Sequence, residues 1–153
     1  MKKSFRGLLA DGDVKQIRLS TNDGLTGYRI VKFQGIPHQP GSNNGEHTLQ
    51  LFTTDKDDTQ TLRVASNTVN FDDPTLLGVV ALSTHSANML YNEVIIFDNM
   101  TFNQDIYITC HENVAAASCN FYLELEQVKL SKDEAAVATL KDMRAGPDTN
   151  FGS

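Results

Sequence analysis

The sequence predicts a mainly β protein: an antiparallel β-sandwich, jelly-roll-like, with one short C-terminal helix. Roughly seven or eight short segments are rich in β-branched and aromatic residues and are separated by turn formers, a spacing typical of sandwiches and jelly rolls. No helical pattern lies between these segments, which disfavours a parallel α/β architecture. Only after Ser131 does the hydrophobic period change from that of a strand to that of a helix.

Segment 119–130 contains the clearest alternation in the chain. Its apolar residues are predicted to face the core and its polar residues the opposite side; the two sets are Phe121, Leu123, Leu125 and Tyr122, Glu124, Glu126. Ser131 and Glu134 then match a capping box, which predicts the start of a helix. Gly146 and Pro147 provide its stop signal.

The other strands are predicted from residue content and from the turns between them. Segments 47–53 and 61–65 flank a charged turn and are predicted to form a hairpin. Segment 92–98 is apolar on both faces, which predicts a central strand covered on both sides. The predicted strands are 14–21, 26–36, 47–53, 61–65, 75–84, 92–98, 102–110 and 119–130.

A chain of 153 residues is most simply one domain with a substantial core. We expect residues 1–13 to be a polar N-terminal arm and residues 14–130 to be the β-sandwich domain. Residues 131–145 are the C-terminal helix and residues 146–153 a loose tail.

Composition favours an acidic globular protein. The net charge is -6, and the 13 basic residues are scattered along the chain, which argues against a nucleic-acid partner. The apolar run from Leu8 to Ala10 is too short for a signal-peptide core, and no segment approaches the length of a membrane span. We therefore expect a protein made in a cytoplasm, with no membrane partner.

Cys110 and Cys119 are the two cysteines of the chain. A reducing compartment favours two free thiols. Cys110 ends one predicted strand and Cys119 begins the next, however, so an antiparallel hairpin would bring them near the separation that a disulfide requires. Whether the two are bonded is left open by the sequence.

The polar residues show no pattern typical of a catalytic or metal site. Adjacent residues Cys110 and His111 would point to opposite faces of a strand, and segment 55–66 lacks the glycine and the glutamate of a calcium loop. Glu124 and Glu126 share one strand face and are the only candidate acid/base pair, although a solvated face explains them more simply. We predict no catalytic, cofactor-binding or metal-binding residues; the histidines lack ligand spacing and are expected at the surface or in loops: His38, His47, His85, His111.

Three stretches resemble a family of small virion structural proteins of tailed phages of cyanobacteria and other marine bacteria. They are RGLLADGDVKQIRLSTNDGLTGYRIVKFQ, NEVIIFDNMTFNQDIYIT and NFYLELEQVKLSKDEAAVATLKDMR, and together they cover most of the chain. The resemblance implies a non-enzymatic protein, located in the virion, that decorates or reinforces the capsid exterior. It implies binding to the major capsid protein or another virion protein, without a cofactor, by a homo-oligomer such as a trimer.

Two other functions remain open at this point. The chain could be a neck or tail accessory of the virion, which would differ from a decoration protein in its copy number. It could also be a carbohydrate- or receptor-binding module, with exposed tyrosines as a stacking platform: Tyr28, Tyr91, Tyr107, Tyr122. Helix 131–145 has no evident role in the core of a two-sheet sandwich, so we expect it to cap an open end or to bind a neighbour.

Overall fold

The computed structural model describes residues 1–21, 24–40, 45–57, 59–83, 91–97, 100–114 and 116–144. These residues form eight strands and one helix: β1 (Lys2–Leu9), β2 (Val14–Ile17), β3 (Thr26–Pro37), β4 (Glu46–Phe52), β5 (Leu76–Ser83), β6 (Tyr91–Ile96), β7 (Ile106–Glu112), β8 (Cys119–Lys129) and α1 (Lys132–Arg144).

The strands form two antiparallel sheets. One has three strands in the order β1-β8-β3, and the other has five in the order β2-β7-β4-β5-β6. Strand 1 thus pairs with strand 8, strand 2 with strand 7, and strand 4 with strand 5, which is the order that a jelly roll produces. Strand β6 departs from that scheme because it pairs with β5, not with β3. The predicted fold class is confirmed.

The core lies between the two sheets. The inward residues of β8 are those that the alternation predicted, since Phe121, Leu123 and Leu125 are at most 3% exposed. Gly35 allows the sheets to approach closely here, because a Cβ at this position would lie 2.8 Å from Leu49 Cδ1. Apolar burial of this kind supplies most of the folding free energy.

The predicted N-terminal arm is wrong for residues 2–9. These residues form β1, which pairs with β8 from Lys2↔Glu126 to Leu9↔Cys119. Leu9 is 1% exposed, and Phe5 packs against the core from a partly buried position. An edge strand is held largely by backbone hydrogen bonds, so its side-chain pattern predicts it poorly.

The predicted hairpin over 47–65 is also wrong. Strand β4 pairs with β5 and β7, and segment 61–65 forms only an isolated bridge between Lys56 and Leu62. The segment lies over the outer face of the five-stranded sheet instead. There the Gln50 Nε2 donates to the carbonyls of Ser66 (3.1 Å) and Thr68 (3.2 Å). This cover explains why β4 and β5 are buried on both faces.

Two further predictions about strand neighbours are wrong. Strand β6 lies at the edge of its sheet, and Val94 and Ile95 are each 39% exposed, so it is not a covered central strand. Strands β7 and β8 belong to different sheets, so they do not form the hairpin expected around Cys110 and Cys119. Sequence neighbours cross between sheets in a jelly roll, and local patterns do not indicate such a crossing.

The C-terminal helix begins where the capping box predicts. Ser131 Oγ accepts a hydrogen bond from the Glu134 N–H, and Glu134 Oε1 accepts one from the Ser131 N–H, each at 3.1 Å. The helix α1 packs on the sandwich through Ala135 and Ala138, which meet Leu130. The predicted tail, residues 146–153, lies outside the described residues.

Candidate interaction surface

The outer face of the three-stranded sheet, which no described element covers, is made of four cross-strand rows. Strand β8 provides the middle residue of each row, with β1 and β3 on either side. The β1 and β3 residues of the rows are exposed, so no described element covers this face. We call it the row face; its rows are Lys2–Glu126–Arg29, Ser4–Glu124–Lys32, Arg6–Tyr122–Gln34 and Leu8–Asn120–Ile36.

The row face carries an excess of positive charge on an acidic protein. Four cations, Lys2, Arg6, Arg29 and Lys32, surround two carboxylates, whereas the whole chain has a net charge of -6. Lys2 and Arg6 are distant in the sequence from Arg29 and Lys32, and only the pairing of β1 and β3 with β8 brings the two pairs together. Such a patch attracts acidic surfaces at a range of about 10 Å or less at physiological salt.

The two carboxylates of the row face are already paired. Arg29 Nη2 donates to Glu126 Oε1 at 2.9 Å, and Lys2 Nζ lies 3.8 Å from Glu124 Oε2. The Tyr122 hydroxyl donates to Glu124 Oε1 at 3.3 Å. Arg6 and Lys32 make no ion pair with any described residue. They are therefore the cations of this face that can bind a partner's carboxylate.

The far end of the row face is apolar. Leu8 is 48% exposed and Ile36 is 58% exposed, and they flank Asn120 in the last row. The row face is thus charged at one end and apolar at the other. Protein interfaces combine these two characters, with apolar contact area and a polar margin.

Helix α1 forms a second, smaller surface. Its inner side is fixed by Asn103, which is fully buried and donates from Nδ2 to Thr139 Oγ1 (2.7 Å), the Gly24 carbonyl (3.0 Å) and the Ala135 carbonyl (3.3 Å). Its outer side exposes Val137 (65%) and Leu140 (51%). The helix therefore packs against the sandwich and presents apolar side chains outward. That it caps an open end or binds a neighbour stays a prediction.

A buried polar cluster lies at one end of the sandwich. Glu112 is 4% exposed, and its carboxylate accepts hydrogen bonds from the N–H groups of Glu46 (3.0 Å), Val114 (2.8 Å) and Ala117 (3.3 Å). His47 stands opposite Glu112 in the sheet and is 2% exposed. The carboxylate thus ties the connection after β7 to the start of β4, which is a structural role.

His47 lines a cavity of about 230 Å³ beside this cluster. Burial lowers the pKa of His47, while the charges of Glu112 and Asp11 partly oppose the shift. Its Nδ1 has no hydrogen-bond partner among the described residues. The expectation of a surface or loop position is wrong for His47, because a single histidine in an alternating strand carries no sign of which face it occupies.

The other histidines differ in exposure. His38 is exposed and His111 is half-buried, whereas His85 lies outside the described residues.

The two cysteine thiols are free and completely buried. Burial raises the pKa of each thiol to about 12. The neighbouring Cys119 adds to the effect at Cys110, and a backbone hydrogen bond with Ile36 opposes it at Cys119. Cys110 lies in the core and His111 points the other way, so this adjacent pair cannot act together.

The remaining candidates from the sequence do not converge on a site. Asp57 caps its own turn, where hydrogen bonds from the Thr59 hydroxyl and from nearby N–H groups lower its pKa. Within the described residues, no group of three or more histidine, cysteine, aspartate or glutamate side chains could hold a metal ion. None of the helices in this part of the chain is long and apolar enough to cross a membrane.

The three tyrosines whose side chains are described, Tyr28, Tyr107 and Tyr122, do not share one surface that could serve as a stacking platform. Tyr28 is 2% exposed and belongs to the core. Tyr107 and Tyr122 lie on the outer faces of different sheets. The side chain of Tyr91 is outside the described part of the structure.

Comparisons with known proteins give distant structural likenesses alone. A scan against protein-family models finds no match, and a search of curated proteins finds no significant match. Among solved structures, the chain is similar to a chain from the three-dimensional structure of Cocksfoot mottle virus. The sequence identity is 7%, the TM-score is 0.35, and the match covers 90% of this chain and 100% of that one. Similarity at this level carries no conclusion about function.

Proposed function

We propose that this chain is a non-enzymatic structural protein of a phage virion that binds the capsid exterior and decorates or reinforces it. The row face is the surface through which it binds. The observation that carries the proposal is that Arg6 and Lys32 make no ion pair with a described residue and lie on a sheet face that no described element covers, on an otherwise acidic protein. The resemblance of three long stretches to small phage virion proteins supports the same function.

The chemistry of the row face favours an acidic protein surface as the partner. Glu124 and Glu126 occupy the middle of the face, so it lacks the continuous run of cations that a polyanion such as nucleic acid requires. A protein surface can place carboxylates against Arg6 and Lys32 and apolar groups against Leu8 and Ile36. Such an interface needs only modest affinity at each site if many equivalent sites are present on one particle.

Copy number tests where in the virion the protein lies. Quantitative mass spectrometry of purified particles is expected to give a number of copies that follows the capsid lattice. A dozen copies or fewer, on a rough estimate from ring symmetry, would instead indicate a neck or tail accessory. Absence of the chain from purified particles would refute the virion proposal in both forms.

Charge reversal tests the role of the row face. The double variant Arg6→Glu/Lys32→Glu is expected to lose binding to particles that lack the protein, because its two free cations become carboxylates. Lys56→Glu makes the same type of change at an exposed position outside the row face and is expected to bind normally. Equal loss in both variants, or normal binding of the double variant, would remove the row face from the proposal.

Salt and alternative ligands complete the test. Binding of the wild-type chain is expected to weaken between about 50 and 500 mM NaCl, since exposed charges are screened over this range. Saturable binding to a glycan array by the isolated chain would favour the receptor-binding alternative. Tight binding to a DNA fragment would contradict the assignment of an acidic protein surface as the partner.

A further inference from the structure

The second edge of β6 is open among the described residues. Strand β6 ends the five-stranded sheet, and on its other side no described strand pairs with it. Asn92, Glu93, Val94 and Ile95 are all exposed, so residues on both faces of the strand are reached by solvent. An open edge presents a row of N–H and C=O groups that can pair with another strand.

The other three sheet edges are protected in ways that β6 is not. Strand β1 carries Lys2, Lys3 and Arg6, and β2 is only four residues long. The edge of β3 is bridged by Phe102, whose N–H donates to the Tyr28 carbonyl at 3.0 Å. Strand β6 has the sequence YNEVII, without lysine, arginine or proline. Charge, shortness and bridging all reduce edge pairing; among the described residues, β6 has no bridge on its second edge, and its one charged residue is Glu93.

The backbone pattern of β6 determines which groups face outward. The Phe97 N–H donates to the Leu77 carbonyl at 3.0 Å, so this residue is bonded toward β5. Backbone groups alternate sides in an antiparallel pair, so Ile95 and Glu93 also bond toward β5. The N–H and C=O groups of Asn92, Val94 and Ile96 therefore point to the open edge.

We propose that β6 pairs with β6 of a second copy of this chain, antiparallel, about a two-fold axis at Val94. In this register, Val94 lies opposite Val94 of the second copy, and Asn92 lies opposite Ile96 of the second copy. The outward N–H and C=O groups of the two strands then form roughly six hydrogen bonds. Glu93 then faces the partner's Ile95, so like charges do not meet. The pairing joins two five-stranded sheets into one and does not depend on the proposed virion function.

The side chains along this edge favour the same pairing. Val94 and Ile95 are each 39% exposed and lie on opposite faces of the strand, so both faces of the joined sheet would gain apolar contact. Phe71 is 53% exposed and packs edge-on against Phe97 at 5.2 Å between ring centroids, which extends the apolar surface beside the edge. An isologous contact of this kind closes at two copies.

Sedimentation of the full chain tests the association. The wild type is expected to form a dimer, and Val94→Lys is expected to raise its dissociation constant about tenfold or more, because two like charges then stand opposite each other. Val14→Lys changes a residue of similar exposure on the β2 edge and is expected to leave the dimer intact. A monomeric wild type, a dimeric Val94→Lys variant, or equal loss in Val14→Lys would each overturn the proposal.

Cross-linking tests the register itself and does not require the lysine variant to fold. Cα atoms of a hydrogen-bonded antiparallel pair are about 5.5 Å apart, within the range of a disulfide. Val94→Cys is therefore expected to give a disulfide-linked dimer under mild oxidation, whereas Ile95→Cys, offset from its own copy, is expected to give little. The native thiols are buried and do not compete. Equal cross-linking of both variants, or none in Val94→Cys, would contradict the two-fold axis at Val94.

Discussion

Asn103 and Thr139 join the sandwich to its C-terminal helix through a 2.7 Å hydrogen bond from the Asn103 amide to the Thr139 hydroxyl. The same amide also donates to the carbonyls of Gly24 and Ala135. One fully buried side chain thus connects the turn before β3, the segment before β7 and helix α1. The position of the helix, and with it the exposed Val137 and Leu140, depends on this residue.

Replacing Asn103 with alanine is expected to lower the free energy of unfolding by about 2–3 kcal/mol, because buried acceptors lose their donor. Thr139→Val removes one of the three acceptors and is expected to cost less, about 1 kcal/mol. Urea denaturation measures both values. If Asn103→Ala cost no more than Thr139→Val, the amide would not be the main anchor of the helix.

His47 gives the stability of the protein a dependence on pH. Burial lowers the pKa of His47 in the folded state, so the unfolded chain binds a proton at a higher pH than the folded chain does. Neutral His47 therefore adds fully to the stability of the folded state at pH values above its unfolded pKa of about 6.5. This stabilisation is lost as the pH falls through the lower pKa of the folded state. We expect the free energy of unfolding to fall between pH 7 and 5.

The variant His47→Gln separates this effect from other titrations. Its unfolding free energy is expected to depend less on pH over the same interval, because no group at position 47 titrates. Chemical denaturation at several pH values gives both profiles. Parallel profiles for wild type and variant would show that another group causes the dependence.

Glu112 and Glu126 allow the same substitution to be compared at a buried and an exposed position. Glu112→Gln removes one acceptor oxygen from a buried carboxylate that binds three N–H groups, and is expected to cost about 1–3 kcal/mol. Glu126→Gln weakens only an exposed pair with Arg29 and is expected to cost less than about 1 kcal/mol. Thermal or urea unfolding measures the difference; a reversed order would be inconsistent with a structural role for Glu112.

The buried thiols are expected to be unreactive in the native protein. Burial raises the pKa of Cys110 and Cys119 to about 12, so very little thiolate is present at pH 8. A colourimetric disulfide reagent should react slowly with the folded chain and rapidly once urea unfolds it. Fast, complete reaction of the native protein would mean that these thiols are open to solvent.

The positions of strands β2 to β8 and the start of the helix were predictable because their patterns are local. The alternation of β8 sorts Phe121 from Tyr122 without reference to any other strand, and the β5 run is apolar throughout because both faces are covered. The capping pair Ser131 and Glu134 lies within a single turn. Each of these signals is contained in a few consecutive residues.

The sequence by itself determined a β-sandwich with a terminal helix, the inward face of β8 and the acidic character of the chain. Only the tertiary structure decided which strands are neighbours. It placed Arg6 and Lys32 on one face across β8, made β1 a strand and left β6 at an edge. The physical reason is that antiparallel pairing joins residues distant in sequence through backbone groups common to all residues, so side-chain patterns do not specify the partner.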